Sequence, residues 1–237
     1  MARYLLYDGP SLFNNAPILV LLSTNKGTSK TRMDTAYILP RDINPIDAAR
    51  LSIDPIGRAD ESVCGGCGRR PGVELDPDKR CFVTTLRGPH PTWVAHQRNG
   101  SGAFDRLPIH PHEGARIGGW GDPSAVPTPV WWQLEDHYSF LLGYTQAWED
   151  GLTVYSRWCM ASVMSPEALH RAQDMGWRTF RSREATAPIL PGEFSCPASR
   201  EENHRLTCDH CKACDGLQRR PERASGSIID HGLPAKR

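Results

Sequence analysis

The first strongly apolar stretch of the chain is Ala16-Pro-Ile-Leu-Val-Leu-Leu22, in which residues 18–22 run without a polar break. A short unbroken run bounded by polar residues predicts a strand buried on both faces. The polar loop Ser23-Thr-Asn-Lys-Gly-Thr-Ser-Lys-Thr31 follows it, and residues 1–15 read as a polar lead-in. Asn44-Pro45-Ile-Asp-Ala-Ala-Arg-Leu51 predicts a short helix, capped by Asn44 with proline in its first turn. Residues 81–85 predict a strand, 92–97 a short helix and 99–114 a loop. From residue 115 the pattern becomes regular. Strands are predicted at 115–117, 140–142, 158–162 and 177–181, and helices at 129–137 and from Ser165 to Gly176. The second helix has a capping Ser165, Pro166 and Glu167 in its first turn, an apolar face of Ala168, Leu169, Ala172 and Met175, and a closing glycine. A last strand at 227–229 is placed to return to the sheet.

Alternation of short strands and helices implies parallel βα units. The expected fold is α/β, a partial or irregular βα barrel over residues 1–181, with a cysteine-rich, metal-bound extension over 182–237 packed on it. The chain's 237 residues suffice for such a domain, and 39 % hydrophobic with 23 % charged residues is ordinary for a globular protein. The net charge of +1 gives no global pull toward nucleic acid or an acidic membrane. Basic residues do gather near the C-terminus, at Lys212, Arg219, Arg220, Arg223, Lys236 and Arg237, and leave room for a local nucleic-acid contact. The longest apolar run is too short to span a bilayer, and no signal peptide is evident. A reducing cytoplasm is therefore the expected compartment, where close cysteines bind metal more often than they form disulfides.

Seven of the eight cysteines fall into two clusters. Cys208-Asp-His-Cys211-Lys-Ala-Cys214, with Cys196-Pro197 upstream, supplies a C-x2-C-x2-C triplet and a fourth thiol followed by proline, the ingredients of an iron–sulfur site. Zinc, which usually takes two separated pairs, is the alternative. The first cluster, at 64–81, is Cys64-Gly-Gly-Cys67 with Cys81 fourteen positions on. Three readings stand for it: zinc completed by His90 or His96, a cubane with one iron open to a ligand, or a composite site shared with the second cluster. Cys159 reads as a buried structural thiol.

In βα folds, binding residues collect in loops at the C-terminal strand ends. The candidates are Lys26, which lacks Walker spacing, the loop Gly118-Gly119-Trp120-Gly121-Asp122-Pro123, and Tyr144 with Gln146. Ser162 and Ser165 are weaker. In the glycine loop, backbone can approach a ligand and Asp122 can accept from an amine or hydroxyl; a tight turn capped by Asp122 is the equal alternative. His110-Pro-His112 reads as exposed histidine or metal ligands. Arg178, Arg181 and Arg183 either hold an anion at a barrel mouth or face solvent. The tryptophans read mainly as packing.

Several stretches carry a resemblance: 23–28, Gly119-Trp-Gly-Asp-Pro-Ser-Ala-Val-Pro, Gly143-Tyr-Thr-Gln, Met160-Ala-Ser-Val, Gly176-Trp-Arg-Thr-Phe-Arg, Cys196-Pro-Ala-Ser and the 207–214 triplet. Together with Ile228-Ile-Asp-His-Gly232 they resemble an uncharacterised cysteine-rich family of bacteriophage and plasmid proteins, one without an established activity. A looser similarity is to radical S-adenosylmethionine enzymes. Those combine a partial βα barrel, a cubane on three cysteines, a Gly-Gly-Glu-Pro-like loop and often an auxiliary cluster. Gly118-Gly119 with Asp122-Pro123 is similar to that loop, whereas Cys64-x2-Cys67-x13-Cys81 departs from the usual C-x3-C-x2-C. The resemblance implies one or two 4Fe-4S clusters, held by Cys64, Cys67 and Cys81 and by Cys196, Cys208, Cys211 and Cys214, with S-adenosylmethionine as cofactor and a small-molecule or nucleic-acid substrate. Two other readings remain: a non-enzymatic metal-stabilised module that binds nucleic acid or protein, and a zinc-dependent barrel enzyme acting on nucleobases.

Overall fold

The apolar run lies in strand β2 (Pro17–Ser23), between β1 (Arg3–Pro10) and β3 (Asp34–Pro40), and pairs antiparallel with both. This computed structural model describes residues 2–24, 31–51, 59–70, 81, 83–219, 222 and 224–230. All five side chains from Ile18 to Leu22 are essentially inaccessible. Each contributes about 1.5–3 kcal/mol through burial, which fixes this strand at the centre of the core. β1 replaces the expected polar lead-in. Its burial is only partial, with Leu6 its one buried residue, so its sequence carries no continuous apolar signal.

Beyond these come β4 (Gly102–Ala103), β5 (His110–Arg116), β6 (Tyr138–Thr145), β7 (Cys159–Val163), β8 (Thr179–Arg183), β9 (Glu193–Ser195) and β10 (Ser225–Ile229). All ten form one sheet in the order β4-β1-β2-β3-β5-β6-β7-β8-β10-β9. Every pairing outside the β1–β2–β3 meander is parallel. The α/β expectation holds, but the sheet is open rather than closed into a barrel. Its edges are strands of two and three residues, which offer little backbone for further pairing. The expected boundary near residue 181 falls inside β8, and β9 and β10 belong to the same sheet. The cysteine-rich segment is thus built into the sheet as well as laid on it.

The helices are α1 (Pro45–Leu51), α2 (Glu61–Cys64), α3 (Pro89–Asn99), α4 (Thr128–Glu135), α5 (Pro166–Asp174) and α6 (Cys208–Cys211). Asn44 caps α1 as expected, its Oδ1 accepting from the Ile46 and Asp47 amides at 3.0 Å. The strand expected at 81–85 is not formed. Cys81, Val83 and Thr84 are irregular and Thr85 opens a turn into α3. The loop expected over 99–114 instead holds β4, a 3-10 turn at Phe104–Arg106 and most of β5. Among the described residues no helix is long and apolar enough to cross a membrane.

At α5 the cap geometry gives a clean test. Ser165 is extended, and its Oγ accepts from the Ala168 amide at 3.2 Å. Ser165→Ala is expected to lower stability by about 1 kcal/mol, read as a shift in the urea midpoint at unchanged slope.

Two faces of the parallel region do different work. Ala115, Ile117, Leu141, Cys159 and Ala161 join Trp131, Leu134, Leu169 and Ala172 of α4 and α5 in the main core. On the opposite face Phe140, Leu142 and Met160 pack with Met33 and Cys214, so the cysteine-rich segment covers the side that the helices leave. The tryptophans serve packing as expected. Trp120, Trp131, Trp148, Trp158 and Trp177 are buried, and only Trp132 is well exposed, beneath the Arg157 guanidinium.

Candidate metal centres

The first cysteine group is assembled where β3 and β5 end. α2 delivers Cys64, Gly65 turns the chain at φ +53°, and the Cys67 amide donates to the Cys64 carbonyl at 3.1 Å. Arg70 braces this turn from both sides. It pairs with buried Asp60 at 3.0 Å and donates to the Gly65 carbonyl. Arg69 reaches across to Asp230, just past β10, at 2.9 Å. The Asp122 amide donates to the Val63 carbonyl at 2.6 Å, which locks the turn to the glycine loop after β5. These ties hold Cys64 and Cys67 at the C-terminal edge of the parallel strands.

Cys81 joins them. Burial pushes the Cys64 thiol well above its ordinary pKa, and the nearby sulfurs of Cys67 and Cys81 push it further, as do Asp60 and Asp122. Cys67 is pushed up to about 11, mainly by burial, with Cys81 and Asp122 adding. Burial also raises Cys81, while the Val83 amide, Arg69 and Arg116 pull it back. Three half-buried thiols thus crowd one another, with Arg69 and Arg116 as the nearby cations.

The second group is built from the other side of the sheet. Cys196 follows β9 directly, and its amide extends the ladder to the Ser227 carbonyl at 2.8 Å. α6 carries Cys208 and Cys211, and Lys212 ends it in the left-handed conformation at φ +54°. Cys214 is buried, and its thiol is pushed far up by burial and by Cys196, Cys208 and Cys211, partly offset by a hydrogen bond from the Tyr144 hydroxyl. All eight cysteines are free of disulfides. Among the described residues no three or more His, Cys, Asp or Glu side chains are gathered into a group that could hold a metal ion as they stand. Inside each set the sulfurs are near enough to raise one another's pKa.

Arginines clamp the second group to the sheet. Arg178 donates to the Asp215 carboxylate at 3.2 Å and to the carbonyls of Gly216, Ala213 and Ala224 at 2.7, 2.8 and 3.0 Å. Arg181 pairs with Glu193 at 2.6 Å, and Arg183 pairs with Glu202. These three arginines are buried, so neither a mouth lined for an anion nor a solvent face describes them. Lys212 and Arg219 lie over the Phe140 ring. Arg220, Arg223, Lys236 and Arg237 fall outside the described residues, as does Lys26.

The glycine loop is explained largely by packing. Gly118 (φ +68°) and Gly121 (φ +84°) occupy left-handed positions, and a Cβ on Gly121 would come within 2.7 Å of Ile38 Cβ. Gly119 lies against Thr35, where a Cβ would meet Cγ2 at 2.3 Å. Asp122 is buried and accepts from the Ser124 amide at 2.9 Å and the Gln146 amide at 2.7 Å, so both its oxygens are engaged in holding turns. The Gln146 side chain donates to Ser162 Oγ at 2.8 Å. Tyr144 stacks near Phe180 and serves the second thiol set. Cys159 is fully buried on the helix-covered face, as expected of a structural thiol. His96 bonds Ser101 Oγ at 2.9 Å, and His110 stacks on Tyr138 at 5.1 Å. A surface cavity of about 350 Å³ lies beside α6, lined by Arg32, Met33, His112, Glu113, Gly114 and Asp209. The supporting residues Asp60, Arg69, Arg70, Arg116 and Asp215 are absent from the sequence-based candidates. The one local signal was Arg69-Arg70 directly after the Cys64–Cys67 turn. Comparison with protein-family models, curated proteins and solved structures yields no match to this chain.

Proposed function

We propose that the chain is an iron–sulfur protein of a phage or other mobile element, resembling a radical S-adenosylmethionine enzyme. Cys64, Cys67 and Cys81 hold a four-iron cluster with one position open to a ligand, and Cys196, Cys208, Cys211 and Cys214 hold a closed auxiliary cluster. The observation that carries this reading is the sorting of seven thiols, none in a disulfide, into a set of three and a set of four, with burial first and neighbouring sulfurs second raising the thiol pKa of Cys64 and Cys214. Bound metal relieves the cost of ionising such thiols, because it displaces the protons and neutralises the thiolates. The donor chemistry, all thiol, suits an iron–sulfur cluster. When bound, such a cluster supplies one-electron chemistry.

This chain's own residues supply the frame. Arg70 and Asp60 fix the turn that bears Cys64 and Cys67, and Arg69 ties it to the end of β10. Ligands of open α/β sheets bind at the carboxyl ends of the strands, which is where the three-thiol set lies. Tyr144 donates a hydrogen bond to Cys214 in the four-thiol set, the kind of contact that tunes a cluster's potential. Anaerobic purification followed by iron, sulfide and zinc analysis tests the reading. Iron and sulfide in about equal amounts, with a broad absorption near roughly 400 nm, is the expected result. A colourless protein carrying only zinc would sink it.

A further inference from the structure

Arg116 ends β5, and among the described residues it makes no ion pair. By register it lies beside Thr35 of β3 and Leu142 of β6, so its side chain shares a face with Tyr37. Its Nε is buried and without a hydrogen-bond partner. Arg116 is half-buried, and the fully buried arginines differ from it. Arg69, Arg70, Arg178, Arg181 and Arg183 each meet a carboxylate. A buried N–H left without an acceptor costs free energy, and Arg116 carries one such group within electrostatic reach of Cys81. Arg116 acts electrostatically on both Cys81 and Tyr37. Burial raises the Tyr37 pKa, so its hydroxyl stays protonated and able to donate.

We propose that Arg116, with the Tyr37 hydroxyl beside it, forms an anion-binding subsite that grips a carboxylate or phosphate group of the small molecule meeting the Cys64–Cys67–Cys81 set. The inference rests on reading that set as ligand-receiving, and it adds the ligand's chemical class. A guanidinium fork matches either group through two parallel N–H···O bonds, and neither Lys nor Gln can reproduce that geometry with charge. Arg69, the other cation near these thiols, is committed to Asp230. The backbone after Arg116 turns through Gly118 and Gly119 against Thr35 and Tyr37, so the subsite stands on the close packing of β3 and β5.

The test is titration of wild type, Arg116→Lys and Arg116→Gln with inorganic phosphate and, separately, with succinate. Thermal stabilisation is read against chloride at matched ionic strength, on iron-loaded and iron-free protein. One of the two anions is expected to stabilise the wild type saturably, and which one identifies the group. Arg116→Gln is expected to weaken that binding about tenfold or more, and Arg116→Lys less. Without anion neither variant is expected to melt below the wild type, since among the described residues Arg116 has no ion-pair partner to leave orphaned. No saturable response in the wild type, or an equal response in Arg116→Gln, would overturn the proposal. Arg116-dependent binding in a protein that takes up no iron would keep the subsite and remove the cluster reading. A loaded cluster with no Arg116-dependent response would do the reverse.

Discussion

Replacing Arg178 with alanine is expected to cost about 3–5 kcal/mol, the range for removing one partner of a buried ion pair. Asp215 is 0 % exposed. It retains Arg219, whose Nε donates to its other oxygen at 2.6 Å, but loses the cation that lies beneath the loop. The loss extends beyond charge, because the carbonyls of Ala213, Gly216 and Ala224 lose their shared donor. Since a folded chain of this kind is stable by only about 5–15 kcal/mol, the variant should be strongly weakened. Arg178→Lys keeps the charge but one ammonium cannot meet four acceptors in the same fan, so it should fall between the two. Equilibrium urea unfolding measures both. A loss below about 1 kcal/mol in Arg178→Ala would show that the clamp contributes little.

The same substitution reaches the second thiol set. Arg178 holds both ends of the segment from Ala213 to Ala224, and Cys214 is inside it. If that set holds a cluster as proposed, a looser clamp should lower the metal content of Arg178→Ala before it unfolds the sheet. That order of events, metal first and fold second, is expected on warming the variant anaerobically while following iron release and circular dichroism together.

How far the sequence spoke depended on how local the signal was. The unbroken run Ile18–Leu22, the Asn44 cap and the Ser165-Pro166-Glu167 start of α5 each declare their structure within a few residues, and each is found in place. β1 was missed because it is mostly half-exposed, and a strand stabilised by its neighbours need not alternate cleanly. The arginines of β8 misled for a related reason. Their partners lie 37, 12 and 19 residues away at Asp215, Glu193 and Glu202, and no pattern in a single sequence encodes such pairing. Alternate charges on a strand then look like a solvent face or an anion site, when each is in fact cancelled in the interior.

The thiol sets divide the same way. The turns were legible because C-x2-C spacing is itself a turn signal, and they are there at Cys64–Cys67 and Cys208–Cys211. What positions them was not. Asp60 precedes α2 as an ordinary acid, and Arg116 closes an unremarkable strand; their importance comes from Arg70, Cys81 and Tyr37, brought close only by the fold. Asp122 was open in sequence to two readings, ligand binding or a tight turn capped by its carboxylate, and two backbone amides occupy that carboxylate.

Cys214→Ala separates a cluster ligand from a buried thiol by magnitude. Cys214 packs with Met33, Phe140, Leu142 and Met160, and Cys159 is at least as buried on the other face, outside both thiol sets. Removing a sulfur from a packed core costs on the order of 1 kcal/mol through lost contacts and a small void. If packing were all, the two alanine variants would fall by similar amounts. A ligand behaves differently, because metal binding free energy is folding free energy, and structural thiolate sites reach about 10 kcal/mol for zinc. On the proposed cluster reading, Cys214→Ala is therefore expected to lose the iron of the four-thiol set and several kcal/mol of stability, while Cys159→Ala keeps its iron and loses about 1 kcal/mol. Iron content and urea midpoints on anaerobic protein decide it. Equal losses in the two variants, with iron retained in both, would reduce Cys214 to packing and leave the four-thiol set without its cluster.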